Sequence, residues 1–158
     1  MAHEYMATVS WKRDSAEPFT DNRYSRGHTW SFDGGVTVPA SSSPLSVRLP
    51  FSRADAVDPE EALVAAISSC HMLTFLFIAA KEGFVVESYE DEAVGAMTKN
   101  DRGKLFISKA TLRPRIVFSG AKQPSQAELD HLHHRAHEDC YIANSVLADI
   151  TIETPQAA

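Results

Sequence analysis

Residues 58–83 read DPEEALVAAISSCHMLTFLFIAAKEG, and from Ala62 to Ala80 there is no Asp, Glu, Lys or Arg. The flanks say how this run is folded. Asp58 can accept hydrogen bonds from the free amides of a first helical turn, and Pro59 fits the first helical position, where no amide is needed. Glu60 and Glu61 suit the positive end of a helix, and Gly83 after Lys81 suits its stop. A helix over 59–82 would be about 36 Å long. That is nearly enough to cross a bilayer, but the charged caps and the internal Ser68, Ser69, Cys70, His71 and Thr74 argue against a membrane span. A helix apolar on every side is otherwise buried on every side. A short chain can hardly cover it, so a second subunit is expected.

The chain has 158 residues, 44% of them hydrophobic and 23% charged, with a formal net charge of -6. One soluble domain over 1–158 is the expectation. The acidic balance and the scattered Lys and Arg exclude nucleic acid as the main partner and disfavour an anionic membrane surface. The start, MAHEYMATVSWKR, lacks the basic-then-apolar pattern of a signal peptide, so a cytoplasmic location is expected. In a reducing compartment two cysteines are more often reactive or metal-binding than structural.

Residues 4–12 are rich in β-branched and aromatic side chains and read as a strand. His28–Val38 reads as a hairpin turning at Asp33-Gly34-Gly35. Ser46–Phe51 reads as a short edge strand limited by Pro50. After the long helix, residues 85–97 and 105–118 read as two strands joined at Asn100–Gly103, with Pro114 marking an edge or bulge. Ser125 to Glu128, SQAE, has the capping-box pattern and starts a second helix that ends near Cys140. Residues 147–152 close the chain as a strand. The expected order is β-β-β-α-β-β-α-β, an α+β class.

The groups able to do chemistry are few. Cys70 sits mid-helix among small residues, where a plain buried thiol, protonated and inert, is one reading. A reactive thiol needs a cation, and this helix supplies none; Arg23, Arg26, Arg48 and Arg53 precede it and could fold back. His131, His133, His134 and His137 crowd the second helix just before Cys140. His133 and His137 share one face, and His134, His137 and Cys140 another, so a zinc site is conceivable, although the spacing matches no standard motif. There is no GxSxG elbow, phosphate loop or dinucleotide fingerprint.

Two stretches are specific. DPEEALVAAISSCHMLTFLFIAAKEGF (58–84) and AHEDCYIANSVLADITIE (136–153) resemble the two signature regions of the OsmC/Ohr family, the osmotically inducible protein C and organic hydroperoxide resistance proteins. The first matches the family's acidic-or-Asn-Pro-Glu-Glu start and, ten residues on, its cysteine in a long helix. The second matches its Ala-His-x-x-Cys, with Asn a few residues further and then a last strand. The order of elements fits over nearly the whole chain.

The resemblance implies an OsmC-like fold, an intertwined homodimer that buries the long helices between subunits, and a thiol-dependent peroxidase acting on organic hydroperoxides in oxidative-stress defence. By its motifs Cys70 is the peroxidatic cysteine, Cys140 the resolving cysteine and Glu60 the family glutamate. The family also uses an arginine from the N-terminal strands; Arg26 is the choice by position, with Arg23 and Arg53 as alternatives. A dithiol or a lipoylated protein would be the reductant, with no cofactor and no metal. Phe75, Phe77, Leu73, Met72 and Trp30 are candidates for lining an apolar pocket. On a straight helix Glu60 would lie about 15 Å from Cys70, so a Glu60–Arg26 pair that orients the guanidinium is expected. Two departures mark this chain: Tyr141 stands where Pro commonly follows the second cysteine, and His71 follows the first. The competing readings are a non-catalytic dimer that binds a small apolar ligand, and zinc binding through the second helix.

Overall fold

The elements run β1 (Ala7–Ser10), β2 (His28–Phe32), β3 (Thr37–Ala40), α1 (Pro59–Lys81), β4 (Val85–Asp91), β5 (Val94–Lys99), β6 (Leu105–Leu112), β7 (Pro114–Ser119), α2 (Gln126–Asp139) and β8 (Asp149–Ile152). The structure is a computed structural model and describes residues 2–154. It divides into two compact units, residues 1–62 and 63–158.

In the first unit β1, β2 and β3 form an antiparallel sheet in that order, with Trp30 opposite both Val9 and Val38. The β2–β3 turn is the expected Asp33–Gly35 hairpin, in which Gly35 takes φ +83°, a left-handed conformation that glycine adopts without strain. Ala40 at the end of β3 bridges Val57. The edge strand expected over Ser46–Phe51 is absent. That stretch is a run of turns, in which the Val47 amide donates to the Ser43 carbonyl at 2.9 Å and the Phe51 amide to the Arg48 carbonyl at 3.1 Å. With Pro44 and Pro50 bracketing it, the backbone bonds to itself instead of to a neighbouring strand.

Helix α1 starts and stops as its caps dictate. The Asp58 Oδ1 accepts from the Glu61 amide and Glu61 Oε1 accepts from the Asp58 amide, both at 2.8 Å, a reciprocal box that satisfies two otherwise free donors. Gly83, at φ +81°, ends it, and the Phe84 amide closes back on the Ala79 carbonyl at 3.0 Å.

In the second unit the two long strands expected over 85–97 and 105–118 are each broken in two. β4 pairs with β7, and β5 pairs with β6, both antiparallel; β6 then pairs parallel with β8. The break has a local cause. Asp91 lies opposite Pro114, which has no amide to give the ladder. The Arg113 amide donates to the Asp91 carboxylate at 2.6 Å instead. β6 is thereby free to carry β8 along Lys109–Leu112. The observed order is β-β-β-α-β-β-β-β-α-β, and the α+β class stands.

Two apolar clusters hold this unit. Phe75, Ile78 and Ala79 of α1 meet Phe84, Leu132 and Ala136, with Tyr89, Ile116 and Phe118 packed around them. Ile67 meets Ala110 and Leu112, backed by Ile142, Ile150 and Ile152. α1 also approaches β5 so closely that a Cβ on Gly95 would lie 2.5 Å from Val64 Cγ2. α2 is anchored by the expected box, with the Glu128 amide on Ser125 Oγ at 3.3 Å and the Ser125 amide on Glu128 Oε2 at 2.8 Å.

The remaining face of α1 is open. Ala65, Ala66, Ser69 and Ala80 are exposed, and Leu73 and Phe77 are each 60% exposed. By length and composition α1 could cross a membrane. Its polar caps and its half-buried register against the sheets are the features of a helix with one face still to be covered.

Candidate active site

Cys70 stands at the middle of α1 and Cys140 is the residue that ends α2. Seventy residues apart in sequence, they are free thiols of the second unit, close enough for Cys70 to raise the Cys140 pKa. Cys140 is fully buried, whereas Cys70 is partly exposed. Burial, and then the neighbouring Cys70, push the Cys140 thiol up to about 11. Cys140 is thus held protonated at neutral pH.

Each cysteine is positioned by its neighbours. The Thr74 hydroxyl donates to the Cys70 carbonyl at 2.9 Å, one turn on. Ser68, two residues before Cys70, donates to the Asp91 carboxylate, which ties this part of α1 to the strand break. At Cys140 the helix carbonyls are capped by a side chain: Asn144 Nδ2 donates to the Glu138 carbonyl at 2.9 Å and the Cys140 carbonyl at 3.0 Å. The Ala143 amide donates to the Cys140 sulfur at 3.3 Å. Sequence reasoning registered Asn144 only as part of a motif; its work is to end α2 so that the thiol faces inward.

A buried histidine pair joins α1 to α2, and sequence reasoning missed it. His71 and His133 are 1% and 3% exposed. His71 Nε2 and His133 Nδ1 are 3.0 Å apart in rings within 9° of parallel. Phe75 packs on His133, with ring centroids 4.5 Å apart. Burial, reinforced for His71 by the neighbouring His133 and His137, lowers both imidazoles to about 4, so both are neutral at pH 7. The signal was present in the sequence: His133 falls on the stripe Leu129, Leu132, Ala136 and Cys140 that faces the core, whereas His134 does not. His134 is exposed and bridges Glu138 at 3.3 Å, so the His134, His137 and Cys140 set does not converge. Among the described residues no three His, Cys, Asp or Glu side chains are placed to hold a metal ion.

The first unit holds the other expected residues. Glu60 is in the first turn of α1, which runs unbroken from Pro59, and its Oε2 is buried without a hydrogen-bond partner. Arg26 does not reach it. The Arg26 Nη1 donates to the Asn22 carbonyl at 2.7 Å and to the Tyr24 carbonyl, and the guanidinium lies 3.8 Å over the Tyr24 ring. The expected Glu60–Arg26 pair is therefore not formed, because loop carbonyls and an aromatic face hold the guanidinium locally. Arg23 pairs with Asp21 at 2.7 Å and Arg53 with Asp55 at 2.9 Å. Of these three arginines Arg26 alone has no carboxylate partner.

A family model described as OsmC-like protein matches residues 52–155. The chain belongs to the OsmC-like family. An OsmC-like protein of unknown function from Vibrio cholerae is 54% identical, with 98% of this chain and all of that chain covered and a TM-score of 0.95. The fold is shared more distantly with the organic hydroperoxide resistance protein OhrB of Bacillus subtilis, at 16% identity and TM-score 0.64 over 96% of this chain and 98% of that one. It is shared likewise with an organic hydroperoxide resistance protein from Elizabethkingia anophelis, at 14% identity and TM-score 0.66 over 98% of this chain and 96% of that one. No curated protein matches this OsmC-like chain in sequence. The match to the family model starts at Ser52 and takes in Glu60, Cys70 and Cys140, but not Arg26.

Proposed function

We propose that this OsmC-like protein is a two-cysteine peroxidase that reduces organic hydroperoxides to alcohols. The observation that carries the reading is the meeting of a partly exposed Cys70 with a buried, protonated Cys140 at the end of α2. Cys70, as the thiolate, attacks the O–O bond and becomes a sulfenic acid while an alkoxide leaves and is protonated. The Cys140 thiol then condenses with the sulfenic acid, releasing water and forming the disulfide. A dithiol or a lipoylated protein reduces that disulfide through a mixed disulfide.

Arg26 is the arginine we assign to activating Cys70, since of Arg23, Arg26 and Arg53 it alone carries no carboxylate. The buried and unpartnered Glu60 Oε2 is an oxygen that a guanidinium would satisfy. The open apolar face of α1, with Leu73 and Phe77 outermost, fits burial against a second copy in a homodimer. The chain would act as one OsmC-like domain in the cytoplasm, in defence against oxidative stress.

Steady-state turnover tests the reading. With tert-butyl hydroperoxide as oxidant, dihydrolipoamide should support continuous peroxide consumption that Cys70→Ser abolishes. Consumption unchanged in Cys70→Ser would overturn it.

A further inference from the structure

We propose that His71 and His133 form a two-imidazole proton relay that supplies the alkoxide leaving group when Cys70 is oxidised. The proposal rests on the peroxidase reading above and deepens it.

Proton balance gives a relay a task. Cys70 reacts as the thiolate, so its own proton has already left the site. Oxidation is then Cys70–S⁻ + ROOH + H⁺ → Cys70–SOH + ROH: sulfur gains the terminal oxygen, the O–O bond breaks, and the alkoxide takes a proton from outside. The later step, Cys70–SOH + HS–Cys140 → disulfide + H2O, balances internally. One proton per turnover must therefore reach the alkoxide that leaves at Cys70, a partly exposed thiol beside the buried Cys140.

The histidine pair has the form of such a path. Both rings are neutral, so the pair carries two ring protons. One occupies the 3.0 Å line between His71 Nε2 and His133 Nδ1. The other sits at one outer nitrogen, and the opposite outer nitrogen is bare. Those outer atoms, His71 Nδ1 and His133 Nε2, are both buried without partners. Unpartnered polar atoms in a core are costly and rare, and two at the ends of one hydrogen-bonded pair invite a functional account. A proton entering the bare end shifts the shared proton across and the proton at the far end leaves; both tautomers are then reversed, and the rings must reset before the next transfer in that direction. No buried charge has to persist.

In this proposal the His133 end takes the proton and the His71 end, next in the chain to Cys70, delivers it. On α2 the exposed Asp130 lies one turn before His133, within reach of its charge. His71 directly follows Cys70 on α1, and its charge neighbours are His137 of α2, one turn from Cys140, and Asp91 at the end of β4. His137 Nδ1 and the Tyr89 hydroxyl are also buried and unpartnered. The sides are dry, with Phe75 against both His133 and Tyr89. Asp130 and His137 of α2 and Asp91 of β4 are the titratable groups whose charge reaches the pair, and Tyr89 lies across Phe75 from His133. His71 and His133 are positioning and proton-handling residues; the sulfur chemistry belongs to the cysteines.

Leaving-group dependence tests this. Oxidation of Cys70 is followed by stopped flow at pH 7 with tert-butyl hydroperoxide, whose alkoxide must be protonated, and with peracetic acid, whose carboxylate need not be. His133→Gln should slow the first reaction at least roughly tenfold, the scale of lost general-acid assistance, and leave the second within about twofold. Equal slowing of both oxidants would show a structural role and overturn the relay, as would no slowing of either. Should His133→Gln fail to fold, a proton inventory on the wild type in H2O/D2O mixtures decides. A bowed plot with tert-butyl hydroperoxide, flat with peracetic acid, is expected, and a flat plot with both overturns the relay. Wild-type Cys70 inert to both oxidants would instead sink the peroxidase reading itself.

Discussion

The Cys140 thiol sits fully buried at the end of α2, close enough to the partly exposed Cys70 of α1 for Cys70 to raise its pKa. On the peroxidase reading proposed above, the thiol that solvent can reach would meet the oxidant, and the buried thiol would stay reduced until its neighbour became electrophilic. Asn144 enforces the arrangement by capping the last carbonyls of α2, and Ser68–Asp91 fixes the other wall.

The buried imidazoles predict an acid-sensitive fold. In the native state both titrate near 4, against an ordinary value of 6.5. A base whose folded pKa is depressed binds protons more weakly when folded. Its stabilisation is complete above pH 6.5 and is lost as pH falls from 6.5 to about 4. Each ring contributes on the order of 3 kcal/mol at most across that window. Melting temperature should drop steeply over it, and His71→Phe should flatten the profile. A melting temperature level from pH 7 to 4.5 would refute the buried neutral pair.

Cys140 predicts a second slope at the alkaline side. Its thiol is raised from 9.0 to about 11, so the folded state holds that proton more tightly. Stability from this group is complete below pH 9 and fades as pH rises through 11. Urea midpoints of wild type and Cys140→Ser should converge over that range, and parallel curves would count against the burial of this thiol.

Gly95 is a steric requirement of the contact between α1 and β5. Gly95→Ala puts a methyl 2.5 Å from Val64 Cγ2, which forces one of them to move. The expected loss is about 1–3 kcal/mol, measured by urea unfolding, and Val64→Ala should recover much of it in the double variant. Independent, additive losses would place the strain elsewhere.

Much of this was legible in the sequence. The caps of α1 at Asp58 and Gly83, the turns at Asp33–Gly35 and Asn100–Gly103, and the box at Ser125 all depend on residues within one turn of each other, and all formed as expected. The strand break was not legible, because it requires Asp91 to meet Arg113 across a hairpin and β8 to arrive beside β6. The histidine pair lies 62 residues apart. His133 was grouped with its helical neighbours, when its place on the apolar stripe was the informative fact. Arg26 was chosen by position, and local loop carbonyls proved to be its partners.

Arg26 carries a direct prediction. If its guanidinium fork activates Cys70, Arg26→Lys, which keeps the charge but loses the planar fork, should slow peroxide oxidation of Cys70 at pH 7 by roughly tenfold or more. Arg23→Lys and Arg53→Lys, each taken from an arginine already paired with an aspartate, should change it little. A larger loss at Arg53 would move the assignment there.

The central claim is settled most directly by mass spectrometry of the protein before and after one equivalent of cumene hydroperoxide, on wild type and on Cys140→Ser. The account predicts loss of two hydrogens in the wild type as Cys70 joins Cys140, and a trapped sulfenic acid on Cys70 in the variant. Two unreacted thiols in the wild type at that dose would contradict it.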